Sequence, residues 1–412
     1  MEQQYDAIVV GARCAGSSLA IALASRSWDV LVVDRDQFPS TTISTHGIWP
    51  NGVARLNQLG VLDQLLSEHQ VPTYESVIRG LGHETRGGFT AVEGFDRAIA
   101  PRRIALDQAG IATARAAGAK VEPGTKVVGL LGDGSDEDPV RGVSLADGGQ
   151  IGARWVFGAD GRGSTVARSL DIPKEHPLRG EMSMAYGYWR GIPDDGYGCF
   201  QMEVGRVLTS VPVEDGLHML IAAGPPEMVH GTQHERRSRY LEFVRGFPET
   251  ISPDLLDRGE LVTDVAIAPE PLMRGFFRRP NGPGWALVGD ACHFKHPGTA
   301  QGMGDALEQG VYVAEALSSA AGTLDGYEDW RNARAAEHYE WSFAWGRFPR
   351  AELEPIYRGW ASDPDAGQDL RDCFSHLVQP SVVMSKERLA RWFGNSGQQA
   401  VEESRPAGGL VS

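Results

Sequence analysis

The chain opens with two short apolar runs, Ala-Ile-Val-Val within 6–10 and a second over 29–33 that ends at Asp34. Runs of this length without polar alternation suit strands covered on both faces of a parallel sheet. Between them, 11–16 predicts a turn and 15–25 a helix of small residues, which makes a βαβ unit. Val53, Leu56, Leu59, Leu62 and Leu65 recur at helical spacing and predict one helix over 51–68. A further helix is expected over 103–117, with strands over 126–131, 140–145 and 151–158 and a solvated acidic turn over 132–139. The glycine-rich stretch 82–94 predicts irregular chain. Short strand-like pieces at 186–190, 200–204, 206–213 and 217–222, divided by Gly, Pro and Asp, predict an antiparallel sheet. A buried strand over 286–288 and a helix over 302–319 follow, and 327–393 predicts helices carrying several tryptophans. From 394 onward the chain is polar and is expected to be disordered.

Composition narrows the classes without changing this outline. A chain of 412 residues can bury a large core in more than one lobe. The net charge of −15 argues against a nucleic-acid partner, which would need a basic face. Cys14, Cys199, Cys292 and Cys373 have neither CxxC nor metal-ligand spacing, so no disulfide framework and no metal site is expected. No apolar run approaches the ~18–20 residues needed to span a bilayer. The first strand starts too close to Met1 for a signal peptide, so the expectation is a cytoplasmic protein with no membrane association.

Three glycine-bearing segments each follow a predicted buried strand. The first reads Gly11-Ala12-Arg13-Cys14-Ala15-Gly16. Gly11 permits a tight strand-to-helix turn and Gly16 a close helix–sheet approach, as in dinucleotide-binding βαβ units. The middle glycine of that fingerprint is replaced by Arg13, whose side chain would have to turn away from the backbone to pair with phosphate or solvent. Asp34, 23 residues after Gly11 and followed by Arg35, is placed to accept ribose hydroxyls. The second segment is Gly158-Ala159-Asp160-Gly161-Arg162-Gly163-Ser164. The third runs from Gly289-Asp290-Ala291-Cys292-His293 through Pro297 to Gln301-Gly302-Met303-Gly304-Asp305. Strand-end carboxylates such as Asp160 and Asp290 suit a polyol or diphosphate, and a helix start at Gly302 offers free backbone N–H groups.

Together these residues resemble the class A FAD-dependent monooxygenases, the p-hydroxybenzoate hydroxylase-like, or aromatic-ring hydroxylase, superfamily. The resemblance rests on the βαβ unit, the GADG segment at 158–161, the GDAxHxxxPxxxQG run at 289–302, and Arg103, Leu106 and Asp107 as an Arg-x-x-Leu-Asp helix start. It covers roughly residues 1–325 and implies an α/β, two-lobe (α+β) protein. A Rossmann-like FAD-binding domain would take 1–75, 100–180 and 265–325. A substrate-binding antiparallel-sheet domain would take 76–99 and 181–264, followed by a C-terminal helical region over 326–395 and a disordered tail over 396–412. The resemblance further implies that Asp34 binds the adenosine ribose, that Arg103 contacts FAD and that Val127 holds the adenine through its backbone. Asp290 would bind the ribityl or pyrophosphate region, Gly302 and Met303 would present N–H groups to the isoalloxazine, and Asp160 would serve both FAD and the nicotinamide cofactor. Gly304 stands where many relatives carry Asn, so one side-chain contact to the flavin is missing. Ser44-Thr45-His46 is similar to a stretch of one subgroup that passes close to the flavin. His46 is then either a contact of the ring or substrate, or a hydrogen-bonded structural residue.

The implied function is insertion of one oxygen atom of O2 into a small, aromatic or polycyclic organic substrate through C4a-hydroperoxyflavin. NAD(P)H would be the electron donor, or a separate flavin reductase would supply reduced FAD, in a monomer or homodimer. His46, Tyr188 and His218 are the candidate catalytic residues. Tyr186, Tyr188, Trp189 and Phe200 are candidates to line the pocket, unless they form the packed core of the sheet; alternation places Tyr186 and Tyr188 on one face. Related FAD proteins give other readings. Geranylgeranyl reductase-like enzymes and flavin-dependent halogenases share the fold, but the segment 186–193 (YGYWRGIP) lacks the Trp-x-Trp-x-Ile-Pro spacing of the halogenases and the Trp-x-Phe-Pro element of the reductases. A non-enzymatic flavin-binding protein is the reading from another class.

Overall fold

The computed structural model describes residues 4–347 and 349–394; the tail expected over 396–412 lies outside them. Strand β1 (Gln4–Val10) occupies the middle of the first sheet. It runs parallel to β2 (Val30–Asp34) with Ala7 to Val10 opposite Val30 to Val33, and parallel to the strand Gln150–Gly158 on its other side. Ala7, Ile8, Val9 and Val10 are all buried, because helices cover one face and a three-stranded meander the other. An unbroken apolar run is what such a position requires. Trp285–Leu287 extends the parallel sheet on one side and Lys120–Pro123 on the other. Helix α1 (Cys14–Ala24) packs between the helices Arg103–Ala116 and Gly302–Ser318. The parallel strands therefore deliver Val10, Asp34, Gly158 and Leu287 to one edge, and the loops that follow them gather there.

The second sheet has nine strands, and its longest members are Ser183–Arg190, Leu217–Gly224, Arg206–Pro212, Tyr197–Glu203 and Thr73–Gly80. Alternation divides its residues cleanly. Met184, Tyr186, Phe200, Val211 and Ile221 face the C-terminal helices, which contribute Trp341, Trp360 and Phe374 to the same core. Ala185, Trp189, Leu208 and Leu220 face the opposite way, against Tyr240, Val244 and Leu256.

Several expectations are corrected. The helix predicted over 51–68 is two helices, Pro50–Gln58 and Val61–Glu68, because Gly60 turns the chain at a φ of +73°. The second sheet is not wholly antiparallel, since Tyr197–Glu203 pairs in parallel with Thr73–Gly80. That strand begins at Thr73, ahead of the expected boundary at 76. The stretch expected to be irregular contains the strand His83–Gly87, which closes a hairpin on Thr73–Gly80. A third, three-stranded sheet of Glu175–Arg179, Arg274–Phe277 and His293–Phe294 links the lobes and was not foreseen. Nor was the helix Gln233–Arg245, whose first seven residues are all polar and whose apolar positions, Tyr240, Leu241, Phe243 and Val244, crowd into its second half. The C-terminal region is helical as expected, from Tyr327–Trp345 to Lys386–Phe393. Among the described residues, no helix is long and apolar enough to cross a membrane.

Candidate active site

The loops at the carboxyl edge of the parallel sheet enclose a cavity of about 870 Å³. Of the cofactor residues expected from the sequence, all but Gly16 line it: Gly11, Arg13, Ala15, Asp34, Arg35, Thr45, Arg103, Val127, Asp160, Asp290, Pro297, Gly302 and Met303. Gly16 lies one layer back, where a Cβ would stand 1.7 Å from the Gly11 carbonyl oxygen. Gly11 itself has a φ of +108°, and a Cβ there would meet the Ala159 carbonyl oxygen at 2.5 Å. This glycine pair lets the turn, α1 and the 158–164 loop close on one another.

Arg13 departs from the glycine fingerprint without strain. It is the N-cap of α1 with φ −79° and ψ −170°, an extended conformation open to any residue. Its guanidinium donates to Asp107 at 2.8 Å, to Ser40 at 2.8 Å and to Asp36 at 3.2 Å. Asp107, almost fully buried, also accepts from Arg103 at 2.9 Å, so one carboxylate holds two guanidinium groups at the rim of the cavity. Sequence reasoning saw Asp107 only as part of a motif. Its partnership with Arg13, across 94 positions, has no local signal.

The carboxylates on the cavity wall differ in how far they are satisfied. Asp34 accepts from the Ala12 N–H at 2.8 Å and the Asp36 N–H at 2.9 Å, which fixes its orientation and leaves further lone pairs. Asp160 accepts from the Thr165 N–H at 2.5 Å through Oδ2, while its buried Oδ1 has no partner. Burial raises the pKa of Asp160, against the pull of its hydrogen bonds. Burial also raises that of Asp290, opposed by Arg162, His293 and Arg103. Gly302 and Met303 open the helix Gly302–Ser318, whose N-cap Gln301 gives no side-chain cap, so first-turn N–H groups face the cavity unpaired. An orphaned buried acceptor, strand-end carboxylates and an uncapped helix start fit the hydroxyls and phosphates of FAD.

The candidate catalytic residues divide into two places. His46 is fully buried at a φ of +63°. Its Nδ1–H donates to the Ser44 carbonyl at 3.0 Å, and its Nε2 accepts from the Tyr188 hydroxyl at 2.5 Å. Burial, then the nearby Arg103, lowers the His46 pKa to about 3, so the ring is neutral and this tautomer follows. Tyr186 sits edge-on to both rings and lines the cavity, which ties the pair to it. His218 is elsewhere. It lies on the outer face of the sheet, at hydrogen-bond distance (2.7 Å) from the Ser210 hydroxyl, with its pKa lowered to about 4 by burial. Trp189 also faces outward and donates to the Tyr240 hydroxyl, whereas Phe200 faces the second cavity described next.

That smaller cavity lies between the second sheet and the segment 297–300. It shares Thr45, Met184, Ile221, Pro297 and Ala300 with the large one, and no charged side chain lines it.

Fold and cavity together define a dinucleotide-type flavin site in a two-lobe protein. The family model described as "FAD binding domain" matches residues 4–234, more than half of the chain, and the protein belongs to this family of FAD-binding oxidoreductases. The chain is 28% identical over 348 residues to menaquinone reductase of Mycobacterium tuberculosis, covering 77% of this chain and 78% of that protein. It is 27% identical over 359 residues to rifampicin monooxygenase of Streptomyces venezuelae, covering 81% and 69%. Among solved structures, a flavin-dependent brominase superposes with a TM-score of 0.76 at 18% identity over 97% of this chain and 99% of that one, a likeness of fold.

Proposed function

We propose that this protein is a FAD-dependent monooxygenase that uses NAD(P)H and O2 to place one oxygen atom on a small, largely apolar organic substrate. The observation that carries the reading is the small uncharged cavity, about 40 Å³, that adjoins the flavin-site cavity and shares five wall residues with it, a place for the reacting end of a substrate beside the cofactor. Reduced FAD, when bound, supplies the reactivity toward O2.

The chain's own residues would bind and orient the cofactor and substrate. Asp34 would accept from the ribose, and Asp160 and Asp290 from the hydroxyl-rich linker. The Asp107-held pair Arg13 and Arg103 would face the phosphates, and the N–H groups of Gly302 and Met303 would stabilise negative charge at the ring end. Neutral His46 accepts from the Tyr188 hydroxyl and fixes its orientation, and Tyr186 extends this pair to the cavity wall, where the phenol groups would orient a substrate oxygen by hydrogen bonding. His218, on the far face, would act through the sheet's packing and would not meet the substrate.

The menaquinone reductase relatives favour a second reading, reduction of a double bond in a quinone-like or isoprenoid substrate. Isotopically heavy O2 separates the two. Under the monooxygenase reading, one heavy atom enters the product, and NAD(P)H consumption is stimulated by substrate and stops without oxygen. Substrate turnover under anaerobic conditions, with no label in the product, would replace it with the reductase reading.

A further inference from the structure

Tyr74 is buried without exposure on the strand Thr73–Gly80, and its hydroxyl has no hydrogen-bond partner. The ring lies across Gly198 of the neighbouring strand, where a Cβ would come within 2.5 Å of it. Its hydroxyl ends beside Gly47, where a Cβ would stand 3.5 Å away. Two glycines thus clear the path of this side chain into the smaller cavity, of about 40 Å³, whose wall is otherwise largely apolar (Met182, Met184, Phe200, Val211 and Ile221), with Thr45 and Thr209 its other hydroxyl-bearing residues. An unpaired hydroxyl in such surroundings carries a desolvation cost that a phenylalanine would avoid. Burial also pushes the Tyr74 pKa up, so the group stays protonated and is a standing donor.

We infer that Tyr74 is a specificity-determining residue, and that the cavity takes the acceptor-bearing end of a neutral, largely apolar ligand, such as a ring ketone, quinone or phenol oxygen, that meets the Tyr74 hydroxyl. The inference rests on the reading that this cavity holds the substrate, and it narrows the substrate class. An anionic ligand is excluded by the same wall, because no cation faces it and burial of an unpaired charge is costly. Tyr74 positions the ligand; nothing places it among the proton-transferring groups.

The test uses the FAD-loaded protein and two probes of one frame, α-tetralone and tetralin, which lacks the carbonyl, with naphthoate as the anionic comparison. Binding is read from the perturbation of the flavin absorbance, so no turnover is needed. Wild type should bind α-tetralone better than tetralin and naphthoate worst. Tyr74→Phe should weaken α-tetralone by roughly three- to tenfold, the worth of one neutral hydrogen bond, and leave tetralin unchanged. The same variant should melt at the same or a higher temperature, because an unpaired buried hydroxyl has been removed. Equal effects on both probes, no effect on either, naphthoate binding as tight as α-tetralone, or a lowered melting temperature would overturn the inference. Full FAD content and heavy-oxygen incorporation in Tyr74→Phe would show that the monooxygenase reading stands even then.

Discussion

Asp290 is the carboxylate on which the proposed flavin site would depend most directly. It is held in the cavity wall by burial that its positive neighbours only partly offset, and it makes no hydrogen bond among the described residues. A half-buried carboxylate with no internal donor has its acceptor sites open to the hydroxyls of a ligand in the cavity. Asp290→Ala should therefore weaken FAD by at least about tenfold, read as flavin absorbance per protein after purification; full retention of FAD would remove Asp290 from the site. The His46–Tyr188 pair makes a different prediction. Tyr188→Phe leaves the buried His46 Nε2 without its donor, which costs about 1–3 kcal/mol, measurable as a lower urea midpoint with FAD content unchanged. At this scale the sequence conveyed much, because turn glycines and strand-end acids are local signatures. Arg13 read as a flaw in the fingerprint, yet that position needs only an extended backbone. His218 looked equivalent to His46, and only the pairing of Leu217–Gly224 with its neighbours shows that it faces the other side.

At the scale of elements, what could be read from the sequence depended on how burial marks it. The parallel strands were clear because both faces are covered and the apolar run is unbroken. Thr73–Gly80 was missed because Glu75, Ser76 and Arg79 interrupt its apolar positions; Arg79 is paired to Glu84 of the hairpin partner at 2.5 Å. The break between Pro50–Gln58 and Val61–Glu68 was hidden for the opposite reason, since the leucine spacing runs straight through Gly60. A non-glycine residue at the φ of +73° observed there carries about 1–2 kcal/mol of backbone strain. Gly60→Ala should lower stability by about that amount without touching FAD binding, as denaturant unfolding would register. A neutral or stabilising result would mean that the chain can run on as the single helix its pattern suggests.

The whole molecule buries several histidines in the neutral state. Burial lowers His46 and His376 from 6.5 to about 3, and His218 and His296 to about 4. The unfolded chain takes up these protons as pH falls below about 6.5, while the folded chain does not until pH nears 4. Stability from this source is therefore complete above pH 6.5 and is lost on acidification, with a slope of about 1.4 kcal/mol per pH unit for each histidine. Asp305, buried but held well below its usual range by Lys295 and His293, adds to the loss at lower pH. Asp160 and Asp290, raised by burial, act in the opposite sense. Urea midpoints of the FAD-loaded protein should fall steeply between pH 7 and pH 5, and a flat profile would mean that these rings are not neutral in the fold.

The strand Thr73–Gly80 also bears on how the molecule is assembled. On a ribosome it emerges well before its parallel partner Tyr197–Glu203 exists, because Tyr197 pairs with Glu75 across 122 positions (197 − 75). During that interval Val77 and Ile78 belong to no complete sheet, and an open edge invites pairing with other nascent chains. The hairpin to His83–Gly87 forms from neighbouring sequence and can occupy one edge at once. It holds the strand in readiness while more than a hundred further residues are made.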